Sequence, residues 1–137
     1  MKKVFLDTNI VLDLLEKRLP FYINASKIFY LAEKKQITIA VSSLTFANLN
    51  YILSKKTSIN EARQILRKLR MLIDVISLSE KVIDLALNDL DFKDFEDALQ
   101  FYSAMESKQN VIITRNQRDF PKIDIPIMNP EEYLASI

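Results

Sequence analysis

Lys3-Val4-Phe5-Leu6-Asp7 is a short β-rich run that stops on a carboxylate, with Thr8-Asn9 directly after it. Four more runs share its character: Thr38–Ser42, Val75–Leu78, Val111–Thr114 and Pro126–Met128. Most read as near-continuous apolar stretches rather than strict alternation, the pattern of strands covered on both faces in a parallel sheet. Helical patterns with marked starts fill the intervals. One covers Asn9–Lys17. Another starts with Pro20 in its first turn and runs to about Lys35, with Ile28, Leu31 and Ala32 on one face. Ser43 caps a helix through about Ser54, and Ser58-Ile59-Asn60-Glu61 reads as a capping box for the helix carrying Ala62, Ile65, Leu66, Leu69 and Leu72. Ser79 caps the run holding Val82, Ile83, Leu85 and Ala86, Asp94 caps Phe95–Lys108, and Asn129-Pro130-Glu131-Glu132 opens a last short helix. Strands alternating with helices predict an α/β fold of βαβ units, about five mostly parallel strands between helices, in one domain over residues 1–137.

The residue types that are missing narrow the chemistry. The 137 residues contain no Cys, no His, no Gly and no Trp. Thiol and imidazole catalysis, thiolate zinc sites, Ser-His-Asp triads and glycine-rich phosphate loops are therefore all excluded. With no Gly, helix ends must turn on Asn or Lys or continue directly into turns. Catalysis has to run on carboxylates, hydroxyls, amides, Lys, Arg or Tyr, and oxygen ligands holding a hard cation such as Mg²⁺ or Mn²⁺ are the economical route. The 19 Lys and Arg against 18 Asp and Glu leave a net charge of +1, which by itself indicates no nucleic-acid partner. An acid at position seven is too early for a signal peptide, and no apolar run is long enough to span a membrane, so a cytoplasmic location is expected.

In open parallel sheets ligands sit beyond the carboxyl ends of the strands. Asp7 stands at such an end, where a charge is costly unless paired or metal-bound. It either caps the following helix or ligates a cation. Asp119 lies five residues past Thr114, and six acids with one Lys occupy 84–97, a local charge of −5. Asp94, Glu96 and Asp97 there either serve the helix macrodipole or belong to a site, and Asp97, between Phe95 and Ala98-Leu99, is the best placed for partial enclosure. Along the first helix Glu16 reads as exposed and Asp13 as undecided between core and surface. Converging carboxylates raise one another's pKa, and a divalent cation relieves that repulsion while activating water and stabilising charge on phosphoryl oxygen.

Four segments in order, Phe5-Leu6-Asp7-Thr8-Asn9-Ile10, Ser42-Ser43-Leu44-Thr45-Phe46-Ala47-Asn48-Leu49, Asp94-Phe95-Glu96-Asp97-Ala98-Leu99-Gln100 and Ile113-Thr114-Arg115-Asn116-Gln117-Arg118-Asp119-Phe120, resemble the PIN domain, in particular its small VapC-like branch. The resemblance implies a three-layer fold and an Mg²⁺- or Mn²⁺-dependent endoribonuclease, the toxin of a toxin–antitoxin pair. It assigns the catalytic metal ligands to Asp7, Asp97 and Asp119, makes Asn116 a secondary candidate, and gives Thr8, Asn9 and Thr114 supporting hydrogen bonds. Glu96 and Asp94 are candidate helpers. Asn48 stands where relatives usually carry a Glu, so the alternative is a catalytically weakened module that binds RNA or a protein partner. The resemblance also implies a homodimer and a cognate antitoxin that blocks the acidic groove. For RNA contact the candidates are Arg115 and Arg118, beside the acids in sequence, and Arg63, Arg67 and Arg70, which share one helix face in a stretch of local charge +5. That face otherwise reads as solvated or as a dock for an acidic partner.

Overall fold

Val4, Phe5 and Leu6 are fully buried at the centre of the sheet, and their alternation organises the molecule. In the computed structural model, which describes residues 2–137, Val4 and Leu6 face one apolar cluster and Phe5 faces a second. The same alternation holds in the neighbouring strands. Ile39 and Val41 join the first cluster and Ala40 the second; Val111 and Ile113 join the first and Ile112 the second. A strand that is apolar at every position is thus read as expected, with helices on both faces.

The strands are β1 (Lys2–Leu6), β2 (Ile37–Ser42), β3 (Asp74–Ile76), β4 (Val111–Ile113) and β5 (Ile127–Met128), in the order β3-β2-β1-β4-β5. Every pairing is parallel. Helices α1 (Thr8–Leu15), α2 (Tyr22–Glu33), α3 (Ser43–Lys56) and α4 (Ile59–Arg70) contribute to the first cluster, joined by α7 (Pro130–Ala135) through Tyr133. Helices α5 (Glu80–Leu87) and α6 (Phe95–Glu106) contribute to the second. Chain order changes direction at β1, whose carboxyl end lies between those of β2 and β4. A crevice opens at such a switch point.

Glycine-free helix ends are solved by lysine. Lys17, Lys35 and Lys108 all have positive φ, of 51°, 59° and 57°, and each follows a helix directly or within two residues. The expected caps at Ser58, Ser79, Asp94 and Asn129 are present, the last with the reciprocal Glu132 bond of a full capping box and with Pro130 opening the helix. At Ser58 half of the expected box forms: its Oγ accepts from Glu61 N, with no return bond from Glu61 among the described residues. Two starts differ. Ser42, not Ser43, caps α3, its Oγ accepting from Leu44 N, while Ser43 Oγ accepts from Leu78 N and fastens the segment after β3. Pro20 lies in the turn before α2 rather than in its first turn, because α2 begins at Tyr22 and Tyr22 N donates back to Arg18 O. Helix α1 also ends earlier than the expected Lys17. Glu16, expected to be exposed, has a side chain only 10% exposed, enclosed by Arg18 and Lys56. Burial would push its carboxyl up, but bonds from Lys56 and Arg18 prevail and hold it below the usual range.

Candidate active site

Beyond the carboxyl ends of β1 and β4 lies a cavity of about 440 Å³. Its wall carries Asp7, Asp97 and Asp119, three acids from distant parts of the chain, together with Asp94, Glu96, Thr8, Asn9, Asn48 and Asn116. The sheet and helix starts place them. Asp7 follows β1 immediately and caps α1, with Oδ1 accepting from Thr8 N at 2.8 Å. Its other oxygen accepts from Thr114 Oγ1, also at 2.8 Å. The helix-capping and site readings of Asp7 are therefore compatible, since the capping bond uses one carboxylate oxygen. Asp94 caps α6, and Glu96 and Asp97 occupy its first turn. Asp119 closes a short 3₁₀ turn, Gln117–Asp119, after β4. Thr114 Oγ1 accepts from Asn116 N at 3.0 Å and so shapes the loop that carries Asn116 and Asp119.

A buried polar contact lies under this wall. Thr45 Oγ1 is 2.9 Å from Thr8 Oγ1, and Gln100 Nε2 donates to Thr45 Oγ1 at 3.1 Å. Thr45 sits three residues before Asn48 on α3, and Gln100 three after Asp97 on α6, so each shares a helix face with a cavity residue. The network ties α1, α3 and α6 together where their polar side chains meet. In the sequence, the spacing of Thr45 from Asn48 and of Gln100 from Asp97 is the signal of this contact.

The electrostatics follow from crowding. Asp97 is pushed up to about 7 by partial burial and by the negative charges of Asp94, Asp7, Asp119 and Glu96. Burial pushes Asp7 up as well, against the opposing bonds from Thr114 and Thr8 and the pull of Arg115. This is what uncompensated carboxylates around one space do to one another.

The donor set is made of carboxylate, amide and hydroxyl oxygens, which suits Mg²⁺ or Mn²⁺ and not a thiolate-seeking metal. Gln100 Oε1 lies buried beside the cavity without a hydrogen-bond partner, an acceptor available to the hydration shell of a hard cation. Among the described residues no three acids are already gathered into a metal cage; they are spread around the wall. Mg²⁺ keeps several waters and binds through one or two carboxylates, so a closed cage is not required. The residues fit such an ion.

The arginines divide. Arg118 is exposed on the adjoining surface. Arg115 does not line the acidic cavity as expected from its position in sequence. Its Nε and Nη2 donate to Asp13 at 2.8 and 3.1 Å, and its guanidinium lies 3.9 Å over the Phe21 ring. Asp13, only 1% exposed, draws it inward, because a buried carboxylate demands a partner. Arg63, Arg67 and Arg70 are exposed on α4 and do not line the cavity; Arg70 also donates to Ile73 O.

Comparison with known proteins supplies the family and the fold. The PIN domain family matches residues 3–118. A curated relative, Ribonuclease VapC1 of Aquifex aeolicus (strain VF5), is 26% identical over 135 residues, covering 96% of this chain and 93% of that protein. The structure resembles VapBC2 from Rickettsia felis bound to a DNA fragment from its promoter, with TM-score 0.69, 23% identity, and coverage of 93% of this chain and 98% of that one. It also resembles VapC20 of Mycobacterium tuberculosis, described as a sarcin-ricin-loop-cleaving toxin, with TM-score 0.61, 14% identity, and coverage of 80% and 86%. An all-parallel sheet with acids after its first and fourth strands, and a family match over most of its length, lead to one conclusion: the chain belongs to the PIN domain family.

Proposed function

We propose that this protein is an Mg²⁺- or Mn²⁺-dependent endoribonuclease, the toxin of a toxin–antitoxin pair. The observation that carries the reading is the meeting of Asp7, Asp97 and Asp119 around one cavity at the switch point of the sheet. The relative named a ribonuclease and the structural likeness to VapC20 support the reaction class, and the likeness to VapBC complexes supports an antitoxin partner. Asp7, Asp97 and Asp119 would hold the metal, with Asn48, Glu96, Asp94 and Asn116 close enough on the wall to assist it or its waters. When bound, the ion supplies an activated water and charge stabilisation at the phosphoryl group.

The chain's own residues do the rest. Thr114 and the Thr8 amide fix both oxygens of Asp7, so the carboxylate meets a ligand already oriented. The Thr8–Thr45–Gln100 contact fixes the helix faces that bear Asp97 and Asn48. Crowding by acids holds the Asp97 proton to about pH 7 in the metal-free protein, so a cation bound there below that pH has to displace it. A homodimer in the cytoplasm and an antitoxin covering the acidic groove complete the proposal.

The test is cleavage of labelled RNA with Mg²⁺, Mn²⁺ or EDTA, beside an Asp97→Asn protein. Cleavage should require the metal and fall about 100-fold or more in the variant. Equal cleavage by the variant would remove the assignment. One observation favours the second reading, a weakened binding module: Asn48 brings an uncharged amide to the wall. That reading predicts RNA retention in EDTA and no saturable Mn²⁺ binding.

A further inference from the structure

Beside the acidic cavity is a second of about 440 Å³, lined by Asp91, Lys93, Asp94, Asp97, Arg118, Asp119 and Pro121. The two share Asp94, Asp97 and Asp119, so those acids form a ridge between two hollows. The first hollow has amides, carboxylates and Tyr51 on its wall and no cation lining it among the described residues; Lys55 Nζ lies 4.2 Å over the Tyr51 ring. The second has two, Lys93 and Arg118.

Cations near this edge fall into two groups. Arg115 is held by Asp13 and Phe21. Lys122 is held by Asp91 at 2.7 Å and Asp89 at 3.4 Å. Lys93 and Arg118, by contrast, make no ion pair among the described residues, although acids line the same hollow. Of those acids, Asp91 is paired with Lys122, and Asp94 accepts from Glu96 N as the cap of α6. Asp97 and Asp119 belong to the proposed metal site. Lys93 and Arg118 thus stand in this hollow as two exposed cations that no ion pair neutralises.

The hollow is also firmly walled. Tyr102 Oη donates to Asp89 Oδ2 at 2.6 Å, and Phe92 packs against Phe101, Tyr102 and Phe120 with ring centroids 5.5 to 6.3 Å apart. With the Lys122 pairs, these contacts join the segment before α6, which carries Lys93, to the segment after Asp119. Lys93 and Arg118 therefore project from two loops that are fastened together.

We infer that this second hollow is a backbone-phosphate subsite, in which Lys93 and Arg118 hold the phosphate next to the scissile one on a single-stranded RNA. The inference rests on the nuclease reading of the ridge between the hollows. A strand crossing the ridge presents one phosphate to the acids and the neighbouring phosphate to the two free cations. A base on the other side meets the amides of the first hollow. Phosphate contacts set register and carry no sequence information, so the subsite positions the strand without selecting its bases.

The test uses the full chain and a fluorescein-labelled eight-nucleotide oligouridylate in EDTA, titrated at several salt concentrations. The proteins are wild type, Lys93→Gln with Arg118→Gln, and Lys27→Gln with Lys34→Gln, two exposed cations that line neither hollow. The first pair should weaken binding about tenfold and flatten the slope of log affinity against log salt by about 0.7, the share of one phosphate on a single strand. The second pair should change neither. Wild-type affinity and slope in the Lys93 and Arg118 variant would overturn the subsite, as would a wild-type protein with no salt-dependent binding. Cleavage with Mn²⁺ is scored separately. Cleavage with an unchanged KM in the Lys93 and Arg118 variant removes the subsite and leaves the nuclease. Loss of EDTA binding in that variant, with a wild type that never cleaves, keeps the subsite and removes the nuclease.

Discussion

Thr114 Oγ1 donates a 2.8 Å hydrogen bond to Asp7 Oδ2 across 107 residues of chain, joining the ends of two adjacent parallel strands at the floor of the acidic cavity. Thr114 is fully buried and Asp7 is 7% exposed, so the bond is largely shielded from water. The bond opposes the burial that pushes the Asp7 carboxyl up.

Thr114→Val removes that bond and keeps the shape. It leaves a buried carboxylate one donor short, at a cost of about 1–3 kcal/mol. Urea unfolding should show the loss, and a Mn²⁺ titration should show affinity lower by about tenfold, since the group that orients a ligand is gone. Unchanged Mn²⁺ affinity with lowered stability would make Thr114 a structural residue alone.

Asp97 gives a pH signature. Its carboxyl titrates at about 7 in the folded protein against 3.8 ordinarily. Between those values the native state keeps a proton that the unfolded chain has released, so stability falls as pH rises from about 4 to 7 and stays reduced above. Asp97→Asn abolishes this dependence. In EDTA the variant should melt a few degrees above wild type at pH 8 and converge with it near pH 4. The effect is modest because the group is partly solvated. A variant that melts lower than wild type at pH 8 would contradict the crowding of charge around position 97.

Arg115 and Asp13 form the other buried tie. Arg115→Met strands the Asp13 carboxylate and should cost about 3 kcal/mol in chemical denaturation. Adding Asp13→Leu should recover most of it, because an apolar pair of similar volume needs no charge partner. If the double variant is no more stable than the single one, the pair's contribution lies in packing on Phe21 and not in charge.

Asn48→Glu adds a carboxylate to the cavity wall. Calorimetry should show tighter Mn²⁺ binding and faster cleavage, with lower metal-free stability at neutral pH from the added repulsion. An unchanged Mn²⁺ affinity would place position 48 outside the reach of the ion.

Much of this was legible in the sequence because its signals are local. The apolar runs around Phe5 and Ile112 identify strands covered on both faces, and Ser58, Ser79, Asp94 and Asn129 carry their capping role in their own chemistry. Lysine at the glycine-free helix ends was likewise foreseeable. The grouping of Asp7, Asp97 and Asp119 came from the rule that ligands sit beyond strand ends and from the resemblance, and the fold sets all three on one cavity. What stayed hidden depends on distant partners. Asp13 and Arg115 stand 102 residues apart, and nothing local announces the pair, so in sequence Arg115 reads as a substrate contact. Ser42 and Ser43 are chemically the same, and only the exit angle of β2 decides which one caps α3. Pro20 suits a helix start in composition, but the turn closed by Tyr22 and Arg18 takes it instead. Lys93 stands inside an acidic run, and only the fold shows that Asp91 beside it pairs with the distant Lys122 instead.

The central claim is that Asp7, Asp97 and Asp119 share one hard cation. Crystals of the protein soaked in Mn²⁺, with anomalous scattering recorded near the manganese edge, test it most directly. The account predicts a single strong peak in the cavity within coordination distance of at least two of those carboxylates, and its loss in Asp97→Asn crystals. A peak elsewhere with none in the cavity, or a cavity peak unaltered by Asp97→Asn, would contradict it.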